Sequence, residues 1–195
     1  MLTGKLILIV GPSGSGKGTV IGRLKSKYAG FVYPVSFTTR EMRPRERDGE
    51  VYKFVSREEF ERMIAAGELL EYATVHSDNY YGTAKAEIMN GLESGAMVLR
   101  EVDIQGFHSI REVVPAENLV SIFMKVSDLE DLKQRILRRG QISDDELAKR
   151  LNSAKMELDL ASECDYQVEN KWGDVEGCLS EVEKIILAEI EKMIL

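Results

Sequence analysis

The sequence has few of the residues that build disulfide scaffolds, zinc sites or proline-rich linkers. Its 195 residues include 2 cysteines, 4 prolines and 2 histidines. Cys164 and Cys178 match no zinc-ligand spacing, and His76 and His108 have no further ligand at a suitable distance along the chain. The longest apolar run, residues 6–10, is far shorter than the roughly 20 residues that a membrane helix needs. We therefore expect a globular protein without a membrane span or a dedicated metal cluster.

The charge distribution favours a small anionic ligand. The net charge is −7, yet the first 40 residues contain six lysines and arginines and no acid. An acidic protein whose cations are concentrated in one segment is expected to bind a compact anion such as phosphate, and neither nucleic acid nor membrane. The N-terminus lacks the features of a secretory signal, so we expect a cytoplasmic protein.

Alternating patterns predict an α/β fold. Continuous apolar runs separated by helical patterns indicate a parallel sheet covered on both faces. The predicted strands are 6–10, 96–102, 119–126 and 165–168. Helices are predicted near 57–66 and from residue 174 onward. Three helix starts have capping-box spacing: Ser56 with Glu59, Ser127 with Glu130, and Ser143 with Glu146.

A glycine-rich loop follows the first predicted strand directly and begins a helical pattern. It reads Gly11, Pro12, Ser13, Gly14, Ser15, Gly16, Lys17, Gly18, Thr19. Strand, loop, lysine and helix occur in the order of a P-loop, in which backbone N–H groups surround phosphate oxygens and the lysine contacts the β- and γ-phosphates. This predicts an ATP site, but a P-loop alone leaves GTPases, ATPases, motor proteins and small-molecule kinases open.

Later motifs narrow the choice. In chain order they are Ser36 to Arg40, Arg43, Gly49 to Phe54, Leu70 with Glu71, Asn79 to Thr83, Val102 to Gly106, Arg135, Arg139 with Gly140, Lys149 to Leu151, and Asn170. With these motifs the sequence resembles the guanylate kinase family over nearly its whole length. The resemblance implies ATP-dependent phosphorylation of GMP to GDP, a reaction of purine nucleotide metabolism. No protein partner is implied.

The resemblance also implies an architecture. It is the three-layer P-loop NTPase fold with a central parallel sheet, an inserted nucleotide-monophosphate-binding lobe and a helical lid. We expect one domain, with the core at 1–33, 83–134 and 151–195, the GMP-binding lobe at 34–82 and the lid at 135–150.

Roles for individual residues follow from the same resemblance. The catalytic residues would be Lys17, Arg40, Arg135, Arg139 and Arg150. ATP would contact residues 11–19, with Asn170 at its base. The acceptor phosphate of GMP would contact Arg40, Arg43, Tyr52 and Tyr81. Its base would contact Glu71, Ser36, Thr83 and Asp103. Glu71 could accept both the N1–H and the 2-amino group, which adenine lacks as a pair.

The sequence departs from the common patterns at a few positions. Gly18 replaces the usual hydroxyl residue after the P-loop lysine, as in adenylate kinases, whose pattern implies Mg²⁺ held largely by phosphates and water. No protein ligand for the metal is assigned. Glu101 stands where an aspartate is common, Arg100 precedes it, and Ile142 occupies a usually acidic lid position.

Two alternatives remain at this point. A kinase for another monophosphate, such as AMP, is favoured by Gly18 and Thr19 and opposed by Glu71 and the tyrosine pair. A non-catalytic guanylate kinase-like module would bind phosphopeptides at the acceptor-phosphate site. Such modules typically lack the P-loop lysine or the lid arginines, and both are present here.

Overall fold

The computed structural model describes residues 2–42, 46–50, 52–75, 79–138, 140 and 142–194. The strands are β1 (Lys5–Val10), β2 (Ser36–Thr38), β3 (Tyr52–Phe54), β4 (Leu69–Val75), β5 (Asn79–Ala84), β6 (Met97–Val102), β7 (Leu119–Lys125) and β8 (Tyr166–Glu169). The helices are α1 (Lys17–Lys27), α2 (Arg57–Ala65), α3 (Lys85–Glu93), α4 (Ile104–Arg111), α5 (Leu129–Leu137), α6 (Asp144–Asp159) and α7 (Val175–Ile194). Two short 3₁₀ turns occupy Ala116–Asn118 and Ala161–Glu163.

The central sheet has the order β6-β1-β7-β8, and all of its pairings are parallel. Residues 6–10 of β1 are fully buried because both faces of the sheet are covered. Alternate side chains of β1 enter two separate apolar clusters, one with α3 and α4 and the other with α1 and α7. The predicted three-layer α/β fold with a parallel central sheet is confirmed.

A second sheet lies in the segment that the sequence predicts as the inserted lobe. Its order is β3-β2-β5-β4, with a parallel β2–β3 pair and antiparallel β2–β5 and β4–β5 pairs. In this segment the sequence predicted only the helix at 57–66, which is observed as α2. The predicted lobe boundary at residue 82 falls inside β5, which continues to Ala84.

Helices α5 and α6 pack against each other and form a small apolar cluster that includes Leu132, Ile136 and Ala154. The predicted lid boundaries at residues 135 and 150 both fall inside these helices. Two packed helices, α5 and α6, therefore occupy the region that the sequence predicts as the lid. The division of the chain into core, lobe and lid stays a prediction.

Two of the three predicted helix caps are confirmed. Ser56 and Ser143 each accept a hydrogen bond from the backbone N–H three residues later. The prediction for Ser127 is wrong, because the N-cap of α5 is Asp128, which accepts from the N–H of Asp131 at 2.7 Å. A carboxylate suits this position better than a hydroxyl, since its negative charge also favours the positive end of the helix dipole.

Helix α7 packs Val182 and Ile186 into the core, as its apolar spacing predicted.

Cys164 and Cys178 are buried free thiols, and burial raises the pKa of each to about 11. Over the part of the chain that the structure describes, none of the helices has both the length and the apolar composition needed to cross a membrane.

A buried carboxylate ties α7 to the central sheet. Glu189 is only 4% exposed, and it accepts hydrogen bonds from Lys5 at 2.6 Å, Lys192 at 2.5 Å and Tyr166 at 2.9 Å. Burial by itself raises the pKa of Glu189, but these donors outweigh burial and lower the pKa to about 2. The ionised carboxylate therefore stabilises the docking of α7.

We expect Glu189→Gln to reduce the free energy of unfolding at neutral pH by about 2–3 kcal/mol, because a charge-assisted network loses its anion. The carboxyl has a lowered pKa in the folded state, so its contribution is complete above its ordinary pKa of 4.5 and disappears as the pH falls toward 2. Denaturant unfolding at several pH values measures the effect. The difference in the free energy of unfolding between wild type and variant should disappear as the pH falls toward 2.

The matched control is Glu191→Gln on the exposed side of the same helix. This variant should unfold like the wild type at every pH. An equal loss in both variants would show that the Glu189 network does not stabilise α7.

Candidate active site

The P-loop connects β1 to α1 in a conformation that its glycines permit. Gly16 has φ of +98°, and a Cβ atom there would lie 2.3 Å from Nδ2 of Asn170. Any side chain at this position would therefore be strained and would collide with a neighbour. Lys17, the first residue of α1, donates from Nζ to the carbonyl oxygens of Gly11 at 2.5 Å and Pro12 at 3.0 Å.

Two residues from distant parts of the chain brace this loop. Asn170 follows β8, is only 4% exposed, and donates from Nδ2 to the carbonyl of Ser15 at 2.7 Å. Arg135 on α5 donates to the carbonyl of Asn170 at 2.7 Å and to that of Ser15 at 3.4 Å. The structure thus brings both residues to the P-loop, with the amide nitrogen of Asn170 engaged in the brace. The expected contact between Asn170 and the base of ATP stays a prediction. It would have to be made by Oδ1, because Nδ2 is engaged with Ser15.

A cleft of about 330 Å³ opens beside the brace. Its lining includes Gly14, Gly16, Thr19, Arg135, Arg138, Asn170 and Trp172. The Arg138 guanidinium lies 4.5 Å and that of Arg135 lies 5.6 Å from the Trp172 ring centre. Arg138 and Trp172 were not among the predicted site residues, although a single tryptophan two positions after Asn170 was a usable signal.

Four predicted GMP-binding residues form one row across the second sheet. Ser36 on β2 lies opposite Tyr52 on β3 and opposite Thr83 on β5. Thr83 in turn lies opposite Glu71 on β4. Residues paired across neighbouring strands point to the same face of a sheet. Strand register therefore brings together residues that are up to 47 positions apart in the sequence.

Glu71 stands at the end of this row in a largely buried environment. It accepts a short hydrogen bond of 2.5 Å from the hydroxyl of Thr83, which is completely buried. Burial raises the pKa of Glu71, the Thr83 bond and the charge of Arg100 lower it, and the charge of Asp103 raises it. The pKa of the Glu71 carboxyl is therefore raised, and the Thr83 hydroxyl fixes its orientation.

Arg100 on β6 reaches this row from the central sheet. It is 9% exposed, and it donates from Nε to Oγ1 of Thr83 at 3.2 Å, from Nη1 to the carbonyl of Pro34 at 3.1 Å and from Nη2 to Oγ of Ser36. The sequence marked Arg100 only as a departure from a common pattern. An arginine inside an apolar strand was the signal for a buried polar partner.

Arg40 lies with two tyrosines at the far side of the row. Its guanidinium is 5.0 Å from the Tyr52 ring centre, and it also interacts with the Tyr81 hydroxyl. The two tyrosine rings meet edge to face at 5.7 Å. Glu46 accepts two hydrogen bonds from the Arg40 fork, at 2.7 and 2.6 Å. A carboxylate thus occupies the kind of bidentate contact that a phosphate also makes.

Two further predicted site residues, Arg150 and Asp103, have hydrogen-bond partners within their own helices. Arg150 pairs with Glu146 one turn earlier on α6, at 2.8 Å. Asp103 is the N-cap of α4 and accepts from the N–H of Gly106 at 2.8 Å. Arg43 and Arg139 lie outside the described residues, so their expected roles stay predictions.

Two acidic side chains, Glu157 and Glu101, lie near the start of α1. One oxygen of Glu157 on α6 is buried without a hydrogen-bond partner among the described residues. Burial raises the pKa of Glu157 to about 7, against the opposing charge of Lys17. A Cβ atom at Gly18 would lie 3.5 Å from the Glu101 carboxylate. Across the described ranges, no three His, Cys, Asp or Glu side chains form a group that could hold a metal ion.

Comparisons with known proteins agree with this geometry. The family model described as guanylate kinase matches residues 3–189. The chain is 43% identical over 182 residues to the guanylate kinase of Nostoc sp., covering 93% of this chain and 89% of that protein. It is 43% identical over 190 residues to that of Clostridioides difficile, covering 97% and 90%. The crystal structure of guanylate kinase from Anaplasma phagocytophilum has a TM-score of 0.76 and 31% identity, covering 96% of this chain and 86% of that one.

We expect Gly16→Ala to weaken ATP binding by at least about 100-fold, because the added methyl group meets the Asn170 amide and the required φ is unfavourable for alanine. Titration calorimetry with ATP measures the loss. Gly22→Ala on α1 is the control, since nothing lies within 4 Å of its added Cβ. The control should bind ATP normally and gain about 0.5–1 kcal/mol of stability. Normal ATP affinity in Gly16→Ala would contradict the close packing of the loop.

Proposed function

The chain belongs to the guanylate kinase family, and on that premise we propose that it transfers the γ-phosphoryl group of ATP to GMP, forming ADP and GDP. GMP is favoured as the acceptor by the row of Ser36, Thr83 and Glu71 across the second sheet. A carboxylate fixed by Thr83 can accept hydrogen bonds from the N1–H and the 2-amino group of guanine. Adenine has no such pair of donors.

Two halves of the site would hold the two substrates. The P-loop amides and Lys17 would bind the phosphates of ATP at the N-terminus of α1. Arg40, Arg43, Tyr52 and Tyr81 would bind the phosphate of GMP. Burial raises the pKa of Tyr52, so its phenol stays protonated and can donate to a phosphate oxygen.

The reaction requires positioning and charge neutralisation rather than a covalent intermediate. A phosphate oxygen of GMP would attack the γ-phosphorus in line with the leaving oxygen of ADP. Lys17 and the lid arginines Arg135, Arg139 and Arg150 would neutralise the charge of the transferring group. Arg135 already contacts the P-loop carbonyl of Ser15, which supports its place near the ATP phosphates.

Magnesium would enter as part of the donor substrate, MgATP. Gly18 provides no hydroxyl next to Lys17, so phosphate oxygens and water would supply most of the metal's ligands. The Glu101 carboxylate lies beside the Gly18 backbone and adds negative charge where a cation is expected. This environment fits a hydrated divalent ion.

The two guanidinium groups beside the Trp172 ring suggest how the base of ATP is held. A flat aromatic ring and two delocalised cations offer surfaces for stacking. The cleft they line adjoins Gly14 and Gly16 of the P-loop. We therefore assign the donor base to this cleft, beside Asn170.

The alternative functions are less well supported. An AMP kinase would not need a buried carboxylate opposite Thr83. A phosphopeptide-binding module would not need the P-loop bracing by Asn170 and Arg135. Both features, together with the family match, favour a catalytic guanylate kinase.

We expect Glu71→Gln to lower kcat/KM for GMP by about 100-fold and to narrow the preference over AMP. The Thr83 hydroxyl would still bond the remaining oxygen, so the new NH₂ group would face the guanine donors. Steady-state assays of the variant and the wild type with both nucleotides measure the effect.

Glu61→Gln, an exposed substitution on α2, is the control and should behave like the wild type. An unchanged ratio of GMP to AMP efficiency in Glu71→Gln would remove Glu71 from the base pocket and revive the AMP alternative.

A further inference from the structure

Arg100 connects the central sheet to the lobe through a buried guanidinium. It lies on β6, an edge strand of the central sheet. Its guanidinium donates hydrogen bonds to three residues of the lobe or its entrance: Pro34, Ser36 and Thr83. A buried cation is costly unless its donors are satisfied. The arrangement therefore fixes the lobe residues as firmly as it fixes Arg100.

The direction of these bonds determines what each hydroxyl can offer a ligand. Nε of Arg100 donates to Oγ1 of Thr83, and Thr83 donates its own hydrogen to Oε1 of Glu71. Nη2 of Arg100 donates to Oγ of Ser36, so the hydroxyl hydrogen of Ser36 remains available to a ligand acceptor. Thr83 is thereby committed to Glu71, whereas Ser36 becomes a donor.

This pattern matches one purine. A donor at Ser36 suits the O6 or N7 acceptor of guanine, and an ionised Glu71 suits its N1–H and 2-amino donors. Adenine presents an amino group in place of O6 and a lone pair at N1. The charge and the bond directions at Arg100 thus fit guanine at both edges of the base.

We propose that Arg100 is a positioning residue that sets the donor and acceptor pattern of the acceptor base site and so determines its preference for guanine. This inference rests on the proposed function. Arg100 acts through Ser36, Thr83 and Glu71, and it need not touch the base itself.

The pKa of Glu71 provides a readout that a purely structural role of Arg100 would leave unchanged. Among the described residues, the charged groups that face Glu71 are Arg100 from β6 and Asp103 from the start of α4. Burial and Asp103 raise the pKa of Glu71, and Arg100 opposes them. Removing Arg100 should raise that pKa further. The protonated carboxyl would then offer a donor, which adenine N1 can accept.

The experiment compares wild type, Arg100→Met, Arg100→Lys and the control Arg111→Met, an exposed arginine paired with Glu163. Steady-state kinetics with GMP and with AMP are recorded from about pH 5.5 to 9, so that a movement of the acid limb can be measured. Circular dichroism and thermal melting establish that each variant is folded.

In Arg100→Met we expect KM for GMP to rise about 10- to 100-fold, as for lost hydrogen bonds to a charged group. The acid limb of kcat/KM should move up by about one pH unit or more. The preference for GMP over AMP should fall at the acidic end and partly recover in base. Arg100→Lys keeps the charge but not the fork, so it should retain the acid limb and still raise KM about tenfold.

A uniform loss of activity in Arg100→Met, with the acid limb and the GMP preference unchanged, would overturn the proposal and leave Arg100 a structural residue. If Arg100→Met fails to fold, Arg100→Lys decides: a wild-type KM and wild-type preference would overturn the proposal, and a raised KM with a weakened preference would support it. A wild-type protein inactive on GMP would instead refute the proposed function.

Discussion

The buried guanidinium of Arg100 is the contact on which the acceptor half of the molecule depends. It joins the end of the central sheet to the row of Ser36, Thr83 and Glu71, which three different strands supply. Because a charge at this depth must have all its partners, the position of the second sheet relative to β6 is narrowly defined. The proposed base site is then a consequence of how the two sheets are joined.

The donor half is organised by a different constraint, the close packing of the P-loop. The loop, Asp103 and Asn170 all follow the carboxyl ends of strands in one parallel sheet, so they meet at one edge. Asn170 and Arg135 both donate to the carbonyl of Ser15, and Lys17 donates to the carbonyls of Gly11 and Pro12. Phosphate binding at the start of α1 fits that arrangement.

The sequence alone predicted the elements whose signals are local. Residues 6–10 form a buried strand because both faces of the sheet are covered, and the P-loop has a fixed order of residues. Strands β2 and β3 of the lobe sheet were missed because strands of three residues carry almost no periodicity. Arg100, Glu157 and Trp172 were missed as site residues because their importance arises from contacts between distant segments. The cap at Asp128 was missed because two capping residues stood side by side.

We infer that a P-loop and a guanine-selective acceptor site act together in this chain. The most direct measurement is ADP formation by the purified protein from MgATP with GMP, AMP, CMP or UMP as the acceptor. We expect efficient turnover with GMP and a kcat/KM for AMP lower by about 10⁴- to 10⁵-fold, as for a site built to pair with donors that the analogue lacks. Comparable turnover with AMP, or none with GMP, would contradict it.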